Sequence, residues 1–443
     1  MKILKFGGTS VGSAQRMKDV AKLICDDTPK IVVLSAMSGT TNSLVEISDY
    51  LYKKNQEEAI KKINSLTDKY LSVIEDLYNT DEYRQKAKDV IMSIFDHIRS
   101  FAREPFTLFE EKIILAQGEL LSSNMFNYYL LENGVRSVLI PALDYMRTNE
   151  NVEPDTVYIK EKFQALLKAD ENAEIYLTQG YICLNVKGEI DNLERGGSDY
   201  TASLVGVAIQ AEEIQIWTDI DGMHNNDPRI VEKTIPVRQL HFDEAAELAY
   251  FGAKILHPTC ILPAKFNNIP VRLLNTMQPD APGTTISNVL EKGKIKAVAA
   301  KDNITAIKIK SGRMLLATGF LRKVFEIFEV FKTPIDMVTT SEVGVSVTID
   351  NCKYLDDIVT NLKKYGTVTI DRDMTIVCVA GDLEWENVGF GAKIVHALKD
   401  IPVRMISYGG SNYNVSLLVK TPDKNKALQV LSDHLFYDED KKQ

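Results

Sequence analysis

Short apolar runs alternate with longer amphipathic segments over roughly the first 290 residues. The runs are rich in Val and Ile and are bounded by Gly, Pro, Ser or Asn; they lie at Lys2–Phe6, Ile31–Ser35, Ser137–Pro141, Ile175–Thr178, Ile214–Thr218 and Val271–Leu274. Helix-periodic segments lie between them, for example Ala14–Cys25, Gly118–Asn133 and Asp243–Phe251. This alternation is typical of an α/β fold with a mainly parallel sheet covered by helices on both faces.

A different pattern begins after about residue 295, where short strands and two-turn helices form a unit of about 70 residues that occurs twice. Each copy has a Gly-Phe pair before an amphipathic helix, then a proline, an apolar run and a valine-rich strand. The matching positions are Gly319 and Gly389, Pro334 and Pro402, and Val345 and Val415, which are 70, 68 and 70 residues apart. The repeat predicts two α+β modules of the βαββαβ, ferredoxin-like type.

These patterns divide the chain into three predicted domains. A large α/β domain covers residues 1–292 and contains a helical insertion at about 46–112, where the sequence is charged, helix-periodic and poor in glycine. The two smaller modules cover residues 300–375 and 376–443, and a strand from about 296–310 completes the second one. A length of 443 residues agrees with about three domains.

Composition and charge exclude several classes of function. Hydrophobic residues make up 45% and charged residues 26% of the chain, which argues against a mostly disordered protein. The net charge of −9 argues against sequence-independent nucleic-acid binding, whereas a helix N-terminus or a single lysine can still hold a small anion. The sequence contains no run of about 18 apolar residues, so no membrane-spanning helix is predicted. Five scattered cysteines without CxxC spacing favour a reducing cytoplasm over a disulfide framework or a zinc site.

A glycine pair follows the first apolar run. The segment Lys5-Phe6-Gly7-Gly8-Thr9-Ser10 lies where a strand ends and a helix begins. Bare N–H groups, the helix dipole and the Lys5 ammonium can together cradle a phosphate, although an ordinary β–α turn has the same residues. The segment is not a Walker loop, because Ser13 stands where that loop has lysine.

Six segments, in chain order, match the motifs of one enzyme family. They are KFGGTSVGSA at 5–14, VVLSAMSGTTNSL at 32–44, AQGELLSS at 116–123, RGGSDYTA at 195–202, WTDIDGMHNNDPR at 217–229 and FGAKILHP at 251–258. Together they resemble the aspartate kinases, which belong to the amino-acid kinase superfamily. The repeat resembles a pair of ACT regulatory modules, and TTSEVGVSVTID at 339–350 resembles the effector strand of the lysine-sensitive type. Since no homoserine dehydrogenase extension is present, we expect a monofunctional enzyme.

The resemblance implies ATP-dependent phosphorylation of the side-chain carboxylate of L-aspartate to 4-phospho-L-aspartate, the first step towards lysine, threonine and methionine. The substrate carboxylate is itself a nucleophile, so the site needs cations and N–H groups rather than a general base. ATP implies Mg²⁺. The sequence has no acidic cluster with the spacing of a metal cage, so we expect the metal on phosphates and water, with no protein metal site.

The family motifs assign roles to individual residues. Lys5 is expected to stabilise the transition state, and Asp199 to orient Lys5 or to cap the following helix. Substrate contacts are expected from Thr41, Glu119, Arg195 and Ser198, with Glu119 on the ammonium and Arg195 on the α-carboxylate. ATP contacts are expected from Lys5, Gly7, Gly8, Ser35, Thr218, Asp219, His224, Arg229 and Lys254. Hydroxyls between Ser38 and Thr41 can alternatively cap a helix, Asp219 can serve ribose or Mg²⁺, and His224 stands where many relatives have tyrosine.

The C-terminal modules are expected to bind an inhibitory amino acid. The resemblance points to Met314, Phe320, Asp336, Ser341 and Glu342, and two carboxylates suit lysine better than threonine. Unpaired edge strands favour a homodimer or higher homo-oligomer through these modules. The expected small-molecule partners are thus L-aspartate, ATP and lysine, without nucleic acid or membrane.

Two other functions compete with this interpretation. One is a different amino-acid kinase acting on glutamate or carbamate, which the paired repeat and the RGGSDYTA segment disfavour. The other is an amino-acid sensor with an inactive kinase domain, which the joint presence of Lys5, Glu119, Arg195 and Asp199 disfavours. An assay for aspartyl phosphate distinguishes the three.

Overall fold

The computed structural model of the chain describes residues 1–26, 28–103, 105–193, 196–252, 256–312 and 318–437. The chain divides into a first unit, Met1–Met223 with Leu256–Asn288, and a second unit, His224–Ile255 with Val289–Gln443. The three domain boundaries predicted from the sequence are not tested by this division into two units, and they stay a prediction.

The strands and helices follow in chain order. The strands are β1 (Lys2–Phe6), β2 (Lys30–Leu34), β3 (Ser137–Ile140), β4 (Ile175–Gln179), β5 (Ile182–Leu184), β6 (Ile190–Asn192), β7 (Ile214–Thr218), β8 (Met223–His224), β9 (Pro236–Val237), β10 (Gln239–His241), β11 (Val271–Asn275), β12 (Thr284–Ser287), β13 (Ile295–Lys310), β14 (Val338–Ser341), β15 (Gly344–Ile349), β16 (Thr367–Gly381), β17 (Met405–Ser407) and β18 (Asn414–Lys420). The α-helices are α1 (Ala14–Ile24), α2 (Thr40–Tyr52), α3 (Gln56–Leu77), α4 (Asp81–Ser100), α5 (Leu108–Glu132), α6 (Thr156–Ala169), α7 (Gly197–Ile209), α8 (Phe242–Tyr250), α9 (Pro258–Phe266), α10 (Phe320–Val330), α11 (Leu355–Leu362), α12 (Phe390–Ala397) and α13 (Lys424–Ser432).

A mainly parallel sheet forms the centre of the first unit. Its strands lie in the order β12-β11-β7-β1-β2-β4-β3, and among these pairs β12 against β11 is antiparallel. All five residues of β2 are buried, which explains why its sequence is a continuous apolar run rather than an alternating one. The predicted fold class is confirmed for this unit. Strand β1 lies between β2 and β7, so Lys5, near the carboxyl end of β1, has a neighbouring strand on each side.

Helices α2, α3 and α4 and the start of α5 fill the segment predicted as a helical insertion. The apolar stripe of α3 includes Ile63, Tyr70 and Ile74, which are fully buried at helical spacing. Tyr70 packs edge-on against Phe95 of α4, with ring centroids 5.6 Å apart. This packing joins α3 to α4, and the Tyr70 hydroxyl also contacts Thr40 in the first turn of α2.

A six-stranded antiparallel sheet forms the second unit, in the order β14-β15-β13-β16-β18-β17. The long strands β13 and β16 pair along almost their whole length, so each contributes to both repeats. The helices α10 and α12 begin after Gly319 and Gly389, whose φ angles of 84° and 96° lie in the left-handed region that favours glycine. The two α+β modules of the predicted fold class are thereby confirmed.

Helix α8 also belongs to the second unit and lies against β13 and β16. Just after it, a side chain at Gly252 would meet the Ala300 carbonyl oxygen at 2.1 Å, so glycine permits this close approach to β13. Among the described residues, no helix is long and apolar enough to cross a membrane.

Candidate active site

The turn after β1 lies against the turn after β2. A side chain at Gly8 would lie 2.7 Å from the Ala36 carbonyl oxygen, so only glycine allows the two turns to approach this closely. The Ser38 amide donates to the Gly8 carbonyl at 3.0 Å, and the Gly7 amide donates to the Trp217 carbonyl at 3.3 Å. The glycine pair therefore joins three strand ends at one edge of the sheet, the edge where parallel α/β sheets bind ligands.

An ion pair lies beside this turn. The Lys5 Nζ and an Asp199 carboxylate oxygen are 2.6 Å apart, and the two side chains are only 10% and 13% exposed. Asp199 lies inside the first turn of α7, whose N-cap is Gly196 without a side-chain cap bond. The alternative of Asp199 as a helix N-cap is therefore wrong, because the helix begins earlier than the sequence indicated. What remains is a carboxylate that holds the ammonium of Lys5 at the end of β1.

A second carboxylate is buried in the same unit. Glu119, in α5, is 5% exposed and accepts a hydrogen bond from the Ala36 amide at 3.2 Å. Burial raises the pKa of Glu119 to about 8, against the opposing effects of that amide and of the Lys5 ammonium. A side chain at Gly118 would lie 2.7 Å from the Ala36 Cβ, so glycine lets α5 bring Glu119 beneath the turn after β2. A bound ammonium would supply the charge partner that this carboxylate lacks.

The turn after β2 leads into α2, where Thr41 is exposed in the first turn and Ser35 is half-buried. The N-cap of α2 is Gly39, with φ 79° and no side-chain cap bond, so the alternative of a Ser or Thr cap is wrong here. The Thr40 hydroxyl is instead 2.9 Å from the Tyr70 hydroxyl, in a buried contact with α3.

The N-terminal end of α7 carries Ser198. A side chain at Gly180, directly after β4, would lie 2.5 Å from the Ser198 Cβ, so the end of β4 and the start of α7 are in close contact. Arg195, the predicted partner of the α-carboxylate, lies outside the described residues.

The end of β7 lies beside the end of β1, since Phe6 pairs with Trp217. Thr218 is half-buried and its carbonyl accepts from the Thr276 amide at 2.8 Å. Asp219, the next residue, is exposed. These two predicted ATP contacts thus lie at the end of β7, the strand adjacent to Lys5, with Thr218 as its last residue and Asp219 directly after it.

The remaining predicted ATP residues lie in the second unit. His224 Nδ1 is 2.8 Å from the Thr234 hydroxyl. Arg229 is exposed and pairs with Asp227 at 2.6 Å, within a tight turn. Lys254 lies outside the described residues. Phosphate would have to compete with Asp227 for the Arg229 guanidinium.

The side chain of Asp336, one of the predicted effector residues, is buried, with an exposure of 1%. It pairs with Lys301 at 2.8 Å and accepts from the Tyr250 hydroxyl at 2.9 Å, while its second carboxylate oxygen is buried without a hydrogen-bond partner. Burial raises the pKa of Asp336, against the opposing Lys301 ammonium. A donor from a ligand would satisfy the unpartnered oxygen.

The other effector residues surround a hairpin. Ser341 and Glu342 are exposed at the turn between β14 and β15, and Phe320 is buried in the core of the first repeat. Six residues of extended chain, about 20 Å at most, separate Asp336 from Glu342. The strand β14 lies between these two carboxylates in the chain. Met314 lies outside the described residues.

The sequence does not predict a role for three side chains that contact these sites: Tyr70, Tyr250 and Lys301. Tyr70 belongs to an apolar helical stripe, and such a stripe signals core rather than function. The Tyr250 and Lys301 contacts join positions 86 and 35 residues from Asp336, and no local periodicity marks such pairs. Among the described residues, no group of three or more His, Cys, Asp or Glu side chains is arranged to hold a metal ion.

Comparison with known proteins decides the family. Residues 1–275 match the amino acid kinase family and residues 377–435 match an ACT domain. Chloroplastic aspartokinase 1 of Arabidopsis thaliana is 33% identical, over 98% of this chain and 80% of that protein. The chain belongs to the aspartokinases. The prediction of an aspartate kinase, a phosphotransferase with a carboxyl acceptor, is confirmed by this membership.

Solved aspartokinase structures share the fold of this chain. Aspartokinase III of Escherichia coli in complex with aspartate and ADP, in its R-state, has a TM-score of 0.86 and 31% identity, covering 98% of this chain and all of that one. The same E. coli enzyme with lysine and aspartate, in its T-state, has a TM-score of 0.78 and 32% identity, covering 98% and 99%. The aspartokinase family therefore includes structures with aspartate, ADP and lysine bound.

Proposed function

We propose that the chain phosphorylates the side-chain carboxylate of L-aspartate with ATP, as the first step towards lysine, threonine and methionine, and that lysine inhibits it. The observation that carries the proposal is the Lys5–Asp199 ion pair at the glycine turn, with the buried Glu119 in the same unit. The E. coli complexes with aspartate and ADP and with lysine support the choice of ligands.

The reaction needs charge stabilisation more than proton transfer. The aspartate carboxylate oxygen attacks the γ-phosphorus, the bond from that phosphorus to the bridging oxygen breaks, and ADP leaves with the electron pair. Lys5 would stabilise the charge on the transferring group, together with the N–H groups of Gly7 and Gly8. Asp199 pairs with the Lys5 ammonium at 2.6 Å and fixes its position in a largely buried setting.

Recognition of the amino acid would divide between two charges. Glu119 would accept the α-ammonium, and Arg195 would hold the α-carboxylate in a bidentate contact. Thr41 and Ser198 would add hydroxyl donors at the turns after β2 and before α7. Burial makes Glu119 selective, because an ionised carboxylate in this position is stable only with a cation beside it.

The nucleotide would lie along the ends of β1 and β7, with contacts from Ser35, Thr218 and Asp219. His224, Arg229 and Lys254 are the further residues that we assign to it. Mg²⁺ would be held by the phosphates and water, with the exposed Asp219 as the protein carboxylate suited to assist; the metal neutralises phosphate charge during transfer.

Regulation would act through the ACT repeat. The unpartnered oxygen of Asp336 suits an ammonium, and the exposed hairpin with Ser341 and Glu342 suits a second one. Phe320 and Met314 would border the site. The outer strands β14 and β17 have unpaired edges in this sheet, which favours a homodimer or higher homo-oligomer. The five unpaired cysteines agree with the cytoplasm as the compartment.

A hydroxamate assay tests the proposed reaction. Purified protein with ATP, Mg²⁺ and L-aspartate should yield aspartyl hydroxamate, and L-glutamate in place of aspartate should yield much less. Lys5→Met should lower kcat by about 10²-fold or more because it removes a transition-state cation. The conservative Lys2→Met, at the exposed start of the same strand, should leave kcat unchanged. Absence of product from aspartate, or equal turnover of glutamate, would refute the proposed substrate.

A further inference from the structure

Two clusters of three charged side chains occupy equivalent positions in the two repeats. The first-repeat cluster is Lys301, Asp336 and Asp350, and the second-repeat cluster is Asp371, Arg404 and Lys420. Their members are 70, 68 and 70 residues apart, which are the spacings of the repeat itself. The three residues of each cluster therefore lie at the same three positions of the repeated module.

The backbone confirms that these places are equivalent. The Asp336 amide donates to the Thr348 carbonyl at 2.9 Å, and the Arg404 amide donates to the Leu418 carbonyl at 2.7 Å. Residues with left-handed φ angles interrupt both long strands 70 residues apart: Asn303 at 62° and Asp373 at 55°. Side chains from the two clusters thus leave matching backbone positions.

The charges of the two clusters are reversed. In the first, the Lys301 ammonium lies between two carboxylates, 2.8 Å from Asp336 and 3.0 Å from Asp350, which gives a net charge of −1. In the second, the central residue is the carboxylate of Asp371, which lies 2.8 Å from Arg404 Nε. With Lys420 the second-repeat cluster has a net charge of +1.

The two clusters also differ in what covers them. The Tyr250 hydroxyl bonds to Asp336, and the Tyr250 ring lies 4.4 Å from the Lys301 ammonium. The second-repeat cluster instead lines an open cleft of about 540 Å³ beside Asp373, the residue of β16 with a left-handed φ angle. Within the described part of the chain, Lys420 has no ion pair, and Arg404 uses only Nε in its pair with Asp371. Arg372 and Asp373 are exposed at the same cleft and have no ion pair among the described residues either, and their opposite charges leave the net charge of the cleft at +1.

We propose that this cleft binds a small anion with carboxylate or phosphate groups. The Nη groups of Arg404 offer a planar pair of donors, and the Lys420 ammonium offers a point charge, a combination that suits a planar or tetrahedral oxyanion. Asp371 orients Arg404, and its negative charge also repels an anionic ligand. A dianion, which gains more from the surrounding cations, is therefore favoured over a monoanion. Pro402, Val403 and Met374 supply an apolar wall that limits the ligand to a compact one. The site is separate from the proposed kinase chemistry and does not depend on it.

Calorimetric titration of the full chain with inorganic phosphate and, separately, with malonate tests the site. We expect saturable binding of at least one of them, with an affinity that falls as NaCl is raised. Lys420→Gln should weaken the affinity about tenfold, because it removes one charge-assisted contact without breaking an ion pair. Arg404→Gln should weaken it at least as much. The comparison of phosphate with malonate identifies the preferred oxyanion.

Lys399→Gln, on the exposed surface of the same repeat, is the matched control and should bind like the wild type. Kinase activity of Lys420→Gln without added anion should also equal that of the wild type, which shows that the variant is folded. The proposal is wrong if neither anion binds saturably. It is equally wrong if Lys420→Gln and Arg404→Gln bind as tightly as the control, because binding then occurs elsewhere, for example where ATP binds.

Discussion

At the scale of single residues, burial sets the protonation of Glu119, the residue that we propose as the acceptor of the substrate ammonium. An exposed glutamate would be ionised at neutral pH and would attract any cation. At a pKa of about 8, Glu119 is mostly protonated at pH 7 until a cation replaces the proton. The carboxylate is therefore selective, and its selectivity depends on pH.

The raised pKa of Glu119 predicts how aspartate binding depends on pH. In the role that we propose for Glu119, binding of the substrate ammonium requires the ionised carboxylate, so the KM for aspartate should fall about tenfold between pH 6.5 and 7.5 and should level off above pH 8. Steady-state kinetics at saturating ATP measures this. Glu119→Gln should have a KM that is raised about 100-fold and is independent of pH over the same range. A wild-type KM that stays constant from pH 6.5 to 8.5 would contradict this role of Glu119.

At the scale of elements, the helical insertion supports the turn that carries Thr41. Tyr70 of α3 is fully buried and its hydroxyl contacts Thr40, while the Lys69 ammonium donates to the Ser38 carbonyl at 2.7 Å. Both contacts reach the first turn of α2 or the residues just before it. Since α3 is fixed by its own apolar stripe, it can hold this turn in one position.

A double-mutant cycle tests this support. Tyr70→Phe and Thr40→Val each remove one hydroxyl, and each should raise the KM for aspartate about fivefold to tenfold, as the loss of about 1 kcal/mol predicts. The double variant should be no worse than either single one, because both changes break the same contact. Tyr78→Phe is the control, since that buried hydroxyl donates to the Met125 carbonyl; it should lower Tm and leave the KM unchanged. Fully additive effects of the first two changes would exclude a shared contact.

The sequence predicts these elements better than it predicts their contacts. The strands of the first unit follow from apolar runs, and the close approach at Gly8 follows from a glycine pair at a strand end. The two modules follow from a spacing of 70 residues. Long-range pairs such as Lys301 with Asp336 follow from none of these, because their partners are fixed by strand order, which the pattern does not contain. The sequence also does not predict the start of α7 correctly, because Gly196, with a left-handed φ angle, caps that helix in place of a polar side chain.

At the scale of the whole molecule, regulation requires that effector binding changes activity without touching the catalytic residues. Glu342 is suited to a test because it is exposed, lies at a hairpin turn, and has no ion pair among the described residues. Its replacement should therefore leave folding and uninhibited turnover nearly unchanged. Because allostery is a difference in affinity between two states, removing an effector contact should change the inhibitor concentration rather than the maximal rate.

We expect Glu342→Ala to raise the lysine concentration for half-inhibition about tenfold or more, which corresponds to one lost charge-assisted contact. Activity titrations with lysine, threonine and methionine, on wild type and variant, measure the shift and identify the effector. Glu329→Ala, an exposed carboxylate on α10 of the same repeat, is the matched control and should keep the wild-type lysine response. If Glu342→Ala and Glu329→Ala respond to lysine identically, the hairpin does not bind the effector. If threonine inhibits the wild type and lysine does not, the effector is a different amino acid, and the acidic hairpin serves another purpose.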